Sequence, residues 1–116
     1  MMLTDTTPTR MHQDSEKYTE RKLVDHVQKL GGTCLKFTSF HFTGLPDRIC
    51  LLPGGRVVFI ELKSKGNGLS PRQKIVRKML ENLGFTYYKI DHHTQIEKVC
   101  WKESTCTSTK TGQQDM

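Results

Sequence analysis

Asp47-Arg48-Ile49-Cys50-Leu51-Leu52-Pro53-Gly54-Gly55-Arg56-Val57-Val58-Phe59-Ile60-Glu61-Leu62-Lys63 contains two runs of β-forming residues, Arg48 to Leu52 and Arg56 to Lys63, joined by a proline and two glycines. That is the pattern of a β-hairpin. Side chains alternate along a strand, so Val57, Phe59, Glu61 and Lys63 share one face while Val58, Ile60 and Leu62 share the other. An apolar row thus ends in a Glu and a Lys. Burying two charges costs desolvation unless they pair or bind something. The plainer alternative is a strand that has left the core by Glu61 and carries a surface ion pair.

The turn decides whether Asp47 meets Glu61. A two-residue turn at Gly54-Gly55 would set Asp47 opposite Leu62, on the wrong face. A three-residue loop, Pro53-Gly54-Gly55, shifts the pairing by one and sets Asp47 opposite Glu61, with Cβ atoms roughly 5 Å apart. Two carboxylates so close repel unless a proton or a divalent cation lies between them. An oxygen-lined, partly open site of this kind suits Mg²⁺ or Mn²⁺.

On the N-terminal side of the hairpin, Gly44-Leu45-Pro46 breaks a strand-like stretch, Thr33 to Phe42, with alternation around Cys34, Leu35 and Phe37. Before it, Leu23, Val24, Val27 and Leu30 recur at helical spacing, which predicts a helix from about Ser15 to Leu30 that stops at Gly31-Gly32. Glu20 precedes Leu23, Val24 and Val27 by three, four and seven residues and is therefore expected on the core-facing stripe. A carboxylate there either has a specific partner or serves the positive end of the helix dipole.

On the C-terminal side, Gly66-Asn67-Gly68 is a loop, and Ser70-Pro71-Arg72-Gln73 offers an N-cap, a proline at the first helical position and a capping-box Gln. The helix that follows is expected to turn Ile75, Val76, Met79, Leu80 and Leu83 inward and to close at Gly84. Gln73 is explained by the box alone, yet its spacing to Val76 and Leu80 also lets it border the inner face. Phe85 to Ile90 reads as a strand and Thr94 to Trp101 as a short final helix. The order αβββαβ(α) predicts an α/β fold, a mixed β-sheet flanked by helices.

The chain has 116 residues, room for a single core. Residues 15–102 are expected to form the domain. Residues 1–14 and 103–116, poor in large apolar groups, read as disordered tails. Neither a membrane helix nor the apolar segment of a signal peptide is present, so a soluble intracellular protein is expected. Cys34, Cys50, Cys100 and Cys106 are scattered without a C-x-x-C pair, and reduced thiols are expected, with Cys34 and Cys50 in or near the core. Residues 15–102 carry 16 Lys+Arg against 8 Asp+Glu. Lys63, Lys65, Arg72, Lys74, Arg77 and Lys78 fall in one stretch, a density that points to a polyanion, nucleic acid first, or else to a solvated helix face. His26 and His41 lack partners at ligand spacing and His92-His93 falls at a strand-to-helix junction, while Tyr87, Tyr88 and Trp101 read as core-packing or dimer-surface groups, with stacking on bases as the alternative.

Taken in order, Glu20 on a helix, Gly44-Leu45-Pro46-Asp47-Arg48, Glu61-Leu62-Lys63 and a helix carrying Gln73 resemble the VRR-NUC (virus-type replication-repair nuclease) branch of the PD-(D/E)xK nucleases. The flanks Leu30-Gly31-Gly32, Leu52-Pro53-Gly54-Gly55 and Leu83-Gly84-Phe85 fit as well, so the resemblance runs from about Ser15 to Val99. The small size looks like the stand-alone phage and bacterial members.

The resemblance implies a restriction-endonuclease-like core and metal-dependent, in-line phosphodiester hydrolysis. Asp47, Glu61 and the Leu62 carbonyl would hold Mg²⁺ or Mn²⁺, and Lys63 would orient the attacking water and stabilise the pentavalent phosphorus. Glu20 would act through a metal-bound water or a second ion, and Gln73 would position water or the scissile phosphate. Arg48, Lys65, Arg72, Lys74 and Arg77 are then candidates for gripping DNA phosphates. It further implies a structure-selective endonuclease on branched DNA, a Holliday-junction-resolvase-like homodimer in a bacterial or phage-infected cytoplasm, serving repair or recombination. A nuclease of broader or single-strand specificity is the second reading. A non-catalytic DNA-binding module is the third, and the facing carboxylates tell against it.

Overall fold

The computed structural model describes residues 15–102; the tails expected at 1–14 and 103–116 lie outside the described residues. Helix α1 spans Glu16–Lys29, and its N-cap is Ser15, whose hydroxyl accepts a hydrogen bond from the Tyr18 amide at 3.1 Å. Thr19, Leu23 and Val27 form its buried stripe. After Gly31 the chain enters strand β1, Thr33–Lys36. Strand β2, Arg48–Leu52, and strand β3, Arg56–Leu62, form the hairpin around a 3-10 turn at Pro53–Gly55. Gly54 and Gly55 sit at φ +83° and +79°, where a side chain would be strained.

Helix α2, Pro71–Asn82, then leads to strand β4, Thr86–Ile90, and a 3-10 helix, His93–Lys98, ends the described fold. The sheet order is β1-β2-β3-β4. The first three strands are antiparallel and β4 is parallel to β3, so α2 is the crossover.

The two sheet faces are covered unequally. On one, Leu23 and Val27 of α1 pack with Cys50, Leu52, Val58, Ile60, Leu62 and Ile90 and with Ile96, Val99 and Trp101 from the C-terminal segment. Burial of side chains of this size contributes roughly 1.5–3 kcal/mol each, which makes this cluster the main source of stability. Cys34 and Cys50, cross-strand neighbours, lie here as free thiols with sulfurs 3.7 Å apart. The other face holds a smaller cluster, Val76 and Leu80 of α2 on Tyr87 with Leu45, Phe59 and Leu69.

Three expectations are corrected. The strand expected to reach Phe42 ends at Lys36, because the Ser39 hydroxyl accepts from the His41 and Phe42 amides and turns the chain out of the sheet. The final helix, expected over Thr94 to Trp101, is 3-10 and ends at Lys98, with Trp101 buried and donating its indole N–H to the Ile96 carbonyl. On α2 only Val76 and Leu80 are buried; Ile75, Met79 and Leu83 are exposed.

Candidate active site

The three-residue turn sets the register of the hairpin. Leu52 pairs with Arg56 and Arg48 with Ile60, so the next step of the ladder brings Asp47 opposite Glu61. The backbone amide of Asp47 donates to Glu61 Oε1 at 3.2 Å, and the Leu62 amide donates to Asp47 Oδ2 at 3.1 Å. Each carboxylate is thereby fixed by an amide beside the other. Glu61 is only 4% exposed, and burial, together with the negative charge of Asp47, pushes its carboxyl up to about 7. Lys63 and hydrogen bonds from Asp47 and Gln73 act in the opposite direction without cancelling the shift.

Lys63 projects from the end of β3 on the same face, its ammonium 3.7 Å from Glu61 Oε2. The backbone there is held by the Lys63 amide donating to the Ile90 carbonyl at 2.9 Å, which continues the parallel pairing past Leu62. Gln73 serves two purposes at once. Its Oε1 accepts from the Ser70 amide at 2.8 Å in the capping box, and its Nε2 donates to Glu61 Oε2 at 2.9 Å. The first turn of α2 is thus docked onto the carboxylate of β3.

Glu20 takes a different place from the one expected. Thr19 occupies the buried stripe, and Glu20 stands at its border in an ion pair with Arg48. The Arg48 guanidinium also donates to the Cys34 carbonyl at 3.3 Å and is only 12% exposed. Arg48, expected to grip phosphates, instead ties α1 to β1 and β2.

One turn before Glu20, the carboxyl of Glu16 is raised above its ordinary value by partial burial and by Asp47 and Glu20, while Lys63 opposes the shift. Glu16 therefore shares the electrostatic neighbourhood of Asp47 and Lys63, although it was not among the residues expected at the site. The usable signal was its place in the first turn, four residues before Glu20 on the same helix face.

The remaining basic candidates lie outside this cluster. Lys65 and Lys74 are exposed. Arg72 donates to the Thr43 carbonyl at 3.1 Å and lies over the Phe42 ring, and Arg77 pairs with Glu81 at 3.1 Å. Lys74, Arg77, Lys78 and Lys89 line a shallow groove beside α2. Among the described residues no third Asp, Glu, His or Cys joins Asp47 and Glu61 to complete a metal cage. Two fixed carboxylates nevertheless fit a hard cation such as Mg²⁺, which keeps several waters and is completed by substrate phosphate. No helix among the described residues is long and apolar enough to cross a membrane.

An α/β fold of this order is that of a VRR-NUC domain: a solved VRR_NUC domain matches it with a TM-score of 0.68, over 72% of this chain and 90% of that one, at 23% identity. In sequence, "Putative nuclease p44" of Acyrthosiphon pisum secondary endosymbiont phage 1 is 38% identical over 72 residues, which cover 62% of this chain and 77% of the phage protein. No family model matches the chain. The chain belongs to the VRR-NUC family.

Proposed function

We propose that this protein is a metal-dependent nuclease that hydrolyses phosphodiester bonds in DNA, with branched DNA as its substrate and a homodimer as its working form. The observation that carries the reading is the pairing of Asp47 with Glu61, each carboxylate fixed by a backbone amide, with Lys63 and Gln73 on the inner one. A binding module gains nothing from two repelling carboxylates. The name of the phage relative, a nuclease, points the same way.

Asp47 and Glu61, with the Leu62 carbonyl, would hold Mg²⁺ or Mn²⁺, which supplies polarisation of the phosphate and an acidified water. Lys63 presents a fixed positive charge where negative charge develops on the phosphoryl oxygens. Gln73 holds Glu61 in one orientation and would offer its remaining amide N–H to the entering water or phosphate. Glu16 adds negative charge on the α1 side, where a second ion or an ordered water would be favoured, while Glu20 is taken up by Arg48. Lys65, Arg72, Lys74 and Arg77 supply sequence-independent attraction to the backbone. The homodimer is supported by Ile75, Met79 and Leu83, a stripe at helical spacing that stands exposed on α2.

The test is cleavage of a labelled panel of four-way junction, flap, splayed arm, duplex and single strand, with Mg²⁺ or Mn²⁺. Paired, symmetric cuts in the junction, absent in Asp47→Ala, are expected. Equal cutting of every member supports the reading of broader specificity, and tight binding without any cut removes the nuclease reading.

A further inference from the structure

The loop from Phe37 to Pro46 carries three phenylalanines within six residues, and none is put away. Phe40 is 93% exposed, Phe42 37% and Phe37 36%. A single exposed ring is ordinary, but Phe40 stands almost wholly in water on a loop with two further half-exposed rings, more apolar surface than one short loop usually shows.

The loop is braced. Its two ends meet where the Phe37 amide donates to the Asp47 carbonyl at 2.7 Å. The Ser39 hydroxyl ties down the His41 and Phe42 amides, and Arg72 holds the far side through the Thr43 carbonyl while its guanidinium lies 5.3 Å from the Phe42 ring centre. Gly44, at φ +88°, packs so closely on α2 that a Cβ would stand 2.7 Å from Arg72 Cγ. The aromatic loop is therefore fastened on one side at Asp47, a member of the Glu61 cluster, and on the other at Arg72, the chain neighbour of Gln73 in that cluster. Phe40 is three residues from Phe37, so its Cα lies within about 11 Å of the Phe37 Cα at the foot of the loop.

The chemistry around the patch selects its occupant. Lys36 precedes the loop in sequence, the Arg72 guanidinium lies over its Phe42, and residues 15–102 are strongly basic. A partner that offers flat apolar faces on a polyanionic backbone matches both features, and unpaired nucleobases are such a partner. Bases inside an intact duplex already stack on one another and have no free face to offer.

We propose that Phe40, supported by Phe37 and Phe42, is a base-stacking wedge that engages unpaired bases beside the cleaved phosphodiester and so selects branched or partly single-stranded DNA. The proposal rests on the nuclease reading for the position of the DNA. Its test reads stacking separately from cleavage. A junction with 2-aminopurine at the branch is titrated with Asp47→Asn protein, which does not cut, with and without Phe40→Ala.

The fluorescence is expected to fall on binding. Phe40→Ala, at a position too exposed to disturb the fold, is expected to abolish that fall and weaken junction affinity on the order of 5- to 100-fold, with fully paired duplex nearly unchanged. Phe40→Tyr should restore both. Unchanged quenching and affinity in Phe40→Ala, or an equal loss on duplex, overturns the wedge and leaves the nuclease reading standing. Phe40-dependent quenching by a protein that cuts nothing has the reverse meaning, and failure to bind any DNA overturns both.

Discussion

Glu16 and Glu20 differ by one helical turn, and that turn separates two kinds of carboxylate. Glu20 neutralises Arg48, so Glu20→Gln leaves a largely buried guanidinium without its counter-charge. We expect about 1–3 kcal/mol of lost stability in urea denaturation, with turnover affected only as far as folding is. Glu16 has Asp47 and Lys63 in its field instead. Glu16→Gln is expected to keep stability and to lower Mg²⁺-dependent cleavage by at least about tenfold, read as kcat on junction DNA. Equal effects of the two substitutions would erase the distinction.

The residue scale also sets a pH dependence. Glu61 has a folded value of about 7 against an ordinary 4.5, so between those limits the folded chain keeps a proton that the unfolded chain has lost. By linkage, its contribution favours the folded state at low pH and is lost as pH rises through about 7. In the metal-free protein the loss is at most about 3 kcal/mol, a fall of several degrees in Tm between pH 5 and 8. Glu61→Gln should remove that part of the pH dependence, and Mg²⁺ added at pH 8 should recover the lost Tm.

Among the elements, the hairpin was the most legible from sequence. Counting Pro53-Gly54-Gly55 as the loop is enough to fix the pairing, because a one-residue slip would turn every side chain of β3 to the opposite face. The capping box likewise announced the start of α2 at Pro71. What periodicity could not settle was rotation by one residue, about 100° on a helix, which separates Thr19 from Glu20. Nor could it say how much of an amphipathic face the sheet covers. Helix α2 crosses only Phe59 and Tyr87, so Val76 and Leu80 suffice to pack it, and the rest of the apolar stripe faces outward. Arg48 escaped for a related reason: its partners lie 14 and 28 residues away, beyond any local pattern. A dimer on α2 predicts that Ile75→Glu combined with Met79→Glu yields monomers of unchanged far-ultraviolet circular dichroism. Light scattering after gel filtration measures this, and wild-type protein that is already monomeric at micromolar concentration would contradict it.

For the molecule as a whole, charge is distributed unevenly over function. Negative groups gather at the Asp47–Glu61 pair, while Lys74, Arg77, Lys78 and Lys89 line the groove beside α2. Phosphates gripped along that groove release counterions, so the charge reversals Lys74→Glu and Lys78→Glu together should weaken all DNA ligands alike. The slope of log affinity against log salt should fall by about two, measured by fluorescence anisotropy. A slope unchanged from wild type would place the DNA path elsewhere.

The sheet's mixed topology has a consequence in time. Asp47 and Glu61 are brought together by a hairpin that closes over a three-residue turn, whereas Gln73 and the backbone support of Lys63 arrive only with the crossover that lays β4 beside β3. Local contacts form before distant ones because less chain entropy has to be surrendered first. During folding the repelling carboxylates therefore meet before the amide of Gln73 is there to steady them. A divalent cation present in the refolding buffer would act on that early hairpin, and so on the rate of folding as well as on the finished protein.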